Sequence, residues 1–331
     1  MKNFGHILII SLLIAGASAC NNKSKNNKNF LFTSAGKTSE ALVVIDNDLW
    51  KSSVGDTIKS YLSESEPWLV QSEPYFDLDH IPENIFKDLY TKYRNILIVK
   101  IRNDFEKSSM RVVNNVYAKP QTIIEIRSKN TSDFYDFFAE NNKKINELFR
   151  KNELERLKNV FYGIRTDSLS TEIQKRFGFK MTFPRGYYLA ADTAGFAWLR
   201  RVDADVEEGV FIYIKPYTDT MAFAVKNIIA HRDSITKAYI PGPVNGSYMK
   251  TSSVFPAYYE NVDFKGNYST LLRSWWDVEG YAMGGPFISY TFVDTISNKI
   301  ITLDGYIKAP KKDKRDILLH LEAIFDSFEM K

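Results

Sequence analysis

Apolar positions recur along this chain with two different periods. Between Leu271 and Trp276 the step is two: Leu271, Arg273 and Trp275 fall on one side of a strand, and Leu272, Ser274 and Trp276 on the other. Ile317, Leu321, Ile324 and Phe328 instead recur at steps of three and four, which gathers them on one face of a helix. Applied to the whole chain, these two periods divide it into unlike halves. The first half predicts a strand at 41–45, a helix at 49–62 and a loop or edge segment at 68–76. It continues with a helix at 81–93 begun near Pro82, then strands at 95–102 and 122–127. Thr131-Ser132-Asp133 is a helix start signal, and Phe134, Phe138, Ile145, Leu148, Leu157 and Phe161 carry an amphipathic run away from it. Asn141 and Asn152 interrupt that stripe, so a bend or a pair of helices is expected. Leu169, Ile173 and Phe177, closed by Gly178, mark a shorter helix.

The second half is strand-rich, with strands predicted at 187–192, 196–202, 209–215, 256–264, 268–276, 286–293 and 299–307. Helices are expected at 219–238 and after Pro310. Blocks of strands and helices, rather than strict alternation, argue an α+β fold. It is read as two strand-and-helix halves, 30–165 and 166–331, the second rich in antiparallel sheet and closed by a C-terminal amphipathic helix.

The amino terminus follows neither period. Lys2 precedes an apolar run over residues 7–15, broken only by Ser11. The run is too short for the roughly 20 residues that span a bilayer. It fits the apolar core of a signal peptide. Gly16-Ala17-Ser18-Ala19 leads straight into Cys20, which resembles a bacterial lipobox, with Ala17 where Leu is the commoner residue. Residues 1–19 are therefore expected to be removed, Cys20 to carry the lipid (palmitate among its acyl chains), and residues 20–29 to form a polar tether. This predicts a lipoprotein of the cell envelope whose partner is the membrane itself, held through Cys20.

Charge changes the picture little. Lys and Arg number 44 against 40 acidic residues, and Lys2, Lys23, Lys25 and Lys28 account for the excess. The remainder is neutral, which gives no electrostatic case for nucleic acid. Cys20 is the single cysteine, so the rest of the chain has no disulfide, no thiol nucleophile and no thiolate metal ligand. No cofactor, metal or catalytic residue is assigned. Gly36-Lys37-Thr38 imitates the end of a phosphate loop, but Leu31 stands where its partner glycine belongs. Asp203 to Gly209 imitates a calcium loop, yet Glu208 occupies the glycine position and Ile214 the bidentate glutamate position. Asp77 and Asp79, beside His80, read as acids at a helix N-terminus, and His231 as a hydrogen-bonded core residue.

Three glycine- and proline-rich loops, at 183–187, 241–249 and 283–287, adjoin a concentration of rings: twelve aromatic residues lie between Tyr248 and Phe292. Tyr248, Met249, Tyr258, Tyr259, Trp275, Trp276, Tyr281 and Phe287 form a candidate ligand surface for an envelope protein, an extended peptide or a glycan. The plainer reading makes most of these rings the core of a twisted sheet. A rival function is a periplasmic hydrolase whose carboxylates are assembled by the fold, Glu73 with Asp77 or Glu260 with Asp277.

Several short runs together resemble one family. They are residues 40–45 (EALVVI), Gln71-Ser72-Glu73-Pro74, Arg94-Asn95-Ile96, Pro241-Gly242-Pro243 with Gly246 to Met249, residues 283–290 (MGGPFISY) and Asp304-Gly305-Tyr306-Ile307. Their order and wording are similar to an uncharacterised lipoprotein family of the Bacteroidota, the domain-of-unknown-function 4837 family, over about residues 35–330. The resemblance implies a lipoprotein and brings no catalytic or binding residues. In such bacteria acidic residues just after the cysteine accompany surface export. Asn and Lys stand there instead, which implies an outer-membrane location facing the periplasm.

Overall fold

The computed structural model of the chain describes residues 31–330. The expected signal peptide, Cys20 and the tether lie outside the described residues. The first half is built on a five-stranded sheet of β1 (Glu40–Val44), β2 (Asp77–Ile81), β3 (Asn95–Ile101), β4 (Ser109–Asn114) and β5 (Thr122–Ser128). Their order is β2-β1-β3-β5-β4, parallel throughout except for β4, which runs antiparallel to β5. The central strands β1 and β3 are almost continuously apolar because both sheet faces are covered. Helices α1 (Ser53–Leu62) and α2 (Thr131–Gly163) cover one face. Phe86 and Tyr93 pack on the other. Ser52 caps α1 and Asn130 caps α2, each through a side-chain oxygen that accepts a backbone N–H of the first turn.

Two expectations for this half are corrected. Residues 81–93 do not form an α-helix. Residues 77–81 are strand β2, in parallel register with β1 from Glu40↔Asp77 to Val44↔Ile81, and two short 3-10 turns follow at Glu83–Ile85 and Tyr90–Lys92. An edge strand needs few apolar residues, so its polar alternation imitated the start of a helix. Asp77 and Asp79 therefore do not sit at a helix N-terminus. Helix α2, in turn, is one unbroken rod of 33 residues, about 50 Å long.

Asn152 interrupts the apolar stripe of α2 because it belongs to a buried polar knot. Glu153 Oε1 accepts from Arg94 at 2.7 Å and from Asn95 at 2.8 Å, and Asn152 donates to Asn95 Oδ1 at 3.0 Å. Arg94 also donates to the carbonyls of Gly36 and Lys37. The Gly36-Lys37-Thr38 run thus presents carbonyl oxygens to a guanidinium, the reverse of a phosphate cradle.

The second half is a curled antiparallel sheet of β6 (Tyr188–Thr193), β7 (Phe196–Asp203), β8 (Val206–Pro216), β9 (Tyr248–Thr251), β10 (Tyr258–Phe264), β11 (Asn267–Glu279), β12 (Tyr281–Asp294) and β13 (Lys299–Lys308). The order is β9-β11-β12-β13-β8-β7-β6, and β10 lies beside β9 on the same margin of β11. The alternation read from residues 271–276 holds. Leu271 faces a core built with α5 (Arg315–Asp326), α3 (Asp167–Phe177) and the end of α2. Leu272 and Trp276 face a second core under α4 (Val225–Tyr239). Gly285 is required there, because a Cβ would lie 2.1 Å from the Ile307 carbonyl oxygen that accepts the Trp276 indole N–H at 3.1 Å. The architecture is mixed α+β.

The run Gln71-Ser72-Glu73-Pro74 hooks one half onto the other. Buried Glu73 Oε2 accepts the backbone N–H of Lys314 at 2.7 Å and of Arg315 at 2.6 Å, the first free donors of α5. Gln71 accepts from Lys314 Nζ, and the Pro74 carbonyl from Arg315. Trp68 and Leu69, from the same loop, enter the larger core of the second half.

Candidate functional site

The eight residues of the expected ligand surface do not share one surface. Met249, Trp276 and Phe287 are core residues under α4, with Trp276 only 1% exposed, so these three are withdrawn from it. The cause is that both faces of β11 are covered, so period two alone does not mark which side meets water. Trp275 is half-buried: its indole N–H donates to the Trp68 carbonyl at 3.0 Å and its ring lies against Phe255. Tyr248 is half-buried with the Lys237 ammonium over its ring. Tyr258, Tyr259 and Tyr281 remain exposed.

Tyr258 and Tyr259 stand on β10, a margin strand of the sheet. Opposite Arg273 and Leu272 respectively, they project to opposite faces. Among the described residues, no backbone group of another segment bonds the outer edge of Tyr258–Phe264. Val262, Phe264 and Lys265 at the far end of this strand line a depression of about 210 Å³ with Leu271, Tyr290 and Glu322. Through Lys265 and Asp326 it joins a groove of about 680 Å³. The groove runs between the end of α2, α3 and the end of α5. Phe161, Met181 and Phe328 form its floor, and Lys158, Arg165 and Lys180 stand on its rim. Lys158 and Lys265 both pair with Asp326, and the Arg165 guanidinium stacks on Tyr162. The sequence offered no sign of this groove, because its walls come from four separated segments.

Charged groups are also buried where no motif announced them. Arg232 of α4 and Asp304 of β13 are both fully buried, joined by Nε to Oδ2 at 2.8 Å, and the guanidinium lies 3.7 Å from the centre of the Phe287 ring. Burial holds the Asp304 carboxyl above its ordinary range against the pull of Arg232. A lone acid within the apolar strand 299–307 was the available sign of this pair. On the other face, burial of Glu208 is outweighed by His320, Arg201 and Tyr187, which bond it and lower its pKa. Arg150 of α2 bridges Glu66 and Glu322, and burial raises the Glu66 carboxyl. Burial and Lys215 lower His231 to about 4, which keeps the imidazole neutral at pH 7.

The fold does not assemble the expected carboxylate pairs into a cleft. Glu73 is consumed by the start of α5, and Asp77 pairs with Arg315 on the surface. Glu260 pairs with Arg273, whereas Asp277 lies opposite Lys250, farther along β11. Asp203 ends β7 and Asp205 lies in the turn before β8, while Glu207 and Glu208 bind Arg200 and Arg201. Among the described residues, no helix is long and apolar enough to cross a membrane.

Similar solved structures include a mutant of the protein Mog1, with 9% identity and a TM-score of 0.29, over 46% of this chain and 90% of that one. The Saccharomyces cerevisiae Ran-binding protein Mog1p has 8% identity and a TM-score of 0.30, over 46% and 92%. The Pseudomonas aeruginosa protein of unknown function PA94 has 10% identity and a TM-score of 0.28, over 45% and 90%. Likenesses this distant say nothing of partner or activity. No curated protein matches the chain. The family expected from the sequence is matched, over the second half of the chain rather than over residues 35–330. Residues 34–162, with Glu40 to Ile45, Glu73 and Arg94 among them, match the model of a separate family, Domain of unknown function (DUF8532). Residues 166–327, which hold the Pro241, Met283 and Asp304 runs, match the model of the expected family, described as Domain of unknown function (DUF4837).

Proposed function

We propose that the protein is a lipid-anchored envelope protein, held at the outer membrane facing the periplasm, that binds an extended polypeptide along β10. The carrying observation is an open strand margin with two exposed tyrosines that leads into a groove. An added strand satisfies its backbone groups on β10, and this supplies affinity without reading sequence. Tyr258 and Tyr259 then grip alternate side chains from the two faces, since tyrosine buries large area at little entropic cost. Past Lys265, the groove receives the continuing segment over an apolar floor with a mixed-charge rim. The absence of cysteine beyond Cys20 supports a practical test. Asn261→Cys, carrying a benzophenone thiol reagent, is illuminated in intact cells, with Tyr188→Cys on the opposite sheet margin as control. A polypeptide adduct at position 261 that the control lacks, and that Tyr258→Ala with Tyr259→Ala abolishes, is the expected result. Equal adducts at both positions, or none at 261, overturn the reading.

A further inference from the structure

Where the described chain begins, three segments meet at one end of the first sheet. Phe32 and Thr33 form a short parallel ladder with Ala118 and Lys119. Ala35 N–H donates to the Lys92 carbonyl at 2.8 Å. Gln121 ties the remainder: its Nε2 donates to the carbonyls of Thr91 and Tyr93, and its Oε1 accepts from the Tyr117 N–H. The junction is buried, yet large apolar side chains point outward from it. Phe32 is 61% exposed and Leu89 65%, and Ile85, Tyr90, Val116 and Tyr117 are exposed with them. Tyr117 packs edge-on against Phe86, and the Lys92 ammonium lies 4.1 Å from the centre of the Phe32 ring, so the three segments present one face.

Basic residues outnumber acids on this face. Lys37, Lys87, Lys92 and Lys119 lie on the three segments against Asp88 and Glu83; Glu83 is taken up by Lys100 and Arg102, and none of the four lysines is ion-paired among the described residues. Apolar and aromatic side chains fringed by free lysines suit the boundary between acyl chains and anionic head groups, where rings sit at head-group level and ammonium groups reach phosphate. The occupant follows from chain geometry as well. Phe32 is twelve residues beyond Cys20, a reach of at most about 40 Å, so an acylated Cys20 keeps this face nearer to lipid than any partner diffusing in the periplasm.

We propose that this patch is a second, non-covalent membrane contact, which seats the domain on anionic lipid in one orientation. The inference rests on the lipid-anchor reading. It adds what one acylated residue alone does not give, because a tether fixes distance and leaves rotation free.

The full mature chain is reconstituted into vesicles of phosphatidylglycerol and phosphatidylethanolamine and footprinted with hydroxyl radicals, and one mass spectrum reads both the oxidation and the acyl mass at Cys20. Oxidation of Phe32, Leu89 and Tyr117 is expected to fall about threefold or more relative to detergent, while Tyr259 and Tyr281 stay unchanged. Leu89→Glu with Val116→Glu, at two exposed positions, removes the protection and keeps the acyl mass. Acylated protein with no protection overturns the patch and leaves the anchor standing. A missing acyl mass overturns the anchor, and the patch is still judged by whether the vesicles protect those residues. Protection without vesicles that grows with protein concentration assigns the face to a second copy and overturns the proposal.

Discussion

Arg232→Met removes the counter-ion of an acid that has no access to water. In the native protein the carboxylate of Asp304 receives Nε at 2.8 Å and Nη2 at 3.4 Å, and both side chains are fully buried. Removing one partner of such a pair costs about 3–5 kcal/mol, because the other charge stays buried and uncompensated. That is a large share of the roughly 5–15 kcal/mol that holds a domain together. It corresponds to a fall in melting temperature of roughly 10 °C. The loss also carries a pH signature. Asp304 titrates above its ordinary value in the folded state, so the folded protein holds that proton more tightly than the unfolded chain. The contribution of such a group weakens as pH rises through this window. Without Arg232 the carboxyl rises further, so the deficit of the variant is smallest near pH 4 and grows toward about pH 7. Urea unfolding followed by tryptophan fluorescence, at both pH values, measures it. Asp304→Val in the Arg232→Met background should restore most of the loss, since two apolar side chains leave no orphan charge. A deficit below about 1 kcal/mol, or one that does not change with pH, would refute the argument.

Three further outcomes follow from the same geometry. Trp276→Ala should cost about 3–5 kcal/mol and Tyr259→Ala less than about 0.5, by denaturant titration, because one ring is core and the other stands in water. Glu73→Ala should release the amides of Lys314 and Arg315 to rapid hydrogen exchange and destabilise by about 1–3 kcal/mol, since a helix start loses its acceptor. Glu208 titrates below its ordinary 4.5, so its contribution is full above that value and is lost as pH falls through the lower folded one. Scanning melting temperature from about pH 6 to about pH 3, the advantage of wild type over Glu208→Gln should shrink in the acid range.

Elements with an apolar face were legible in the sequence, and elements defined by distant partners were not. Most strands of the second half declared themselves through alternation, as at Leu271 to Trp276, and α5 through Leu321 and Ile324, whereas β9 was hidden behind the loop at 241–249. Strand β2 was misread because an edge position leaves Asp77, Asp79 and His80 outside the core, and Pro82 supplied a false helix start. Strand β4 was missed for the same reason, with Ser109, Arg111 and Asn114 exposed. Asn152 looked like a flaw in a helix, and Glu153 beside it drew no notice, because their partners, Arg94 and Asn95, stand 57 to 59 residues away. The aromatic surface failed in part by the same logic. Composition counted rings, whereas burial depended on α4, which closes over Trp276 and Phe287 from elsewhere in the chain. Glu73, Gly285 and Asp304, quoted for their distinctive wording, proved to hold architecture together.

Helix α2 serves two cores with one rod. Phe134, Phe138, Ile145 and Phe149 enter the first, and Leu157 and Phe161 the second. The angle between those two sets is therefore fixed by arithmetic on residue number. One residue inserted between Phe149 and Leu157 would swing the later pair by about 100° about the helix axis, toward solvent. Seven would return it to within about 20° while parting the two cores by about 10 Å. Length in this stretch is frozen at every size of indel, so the segment from Phe149 to Leu157 is, mechanically, a crankshaft.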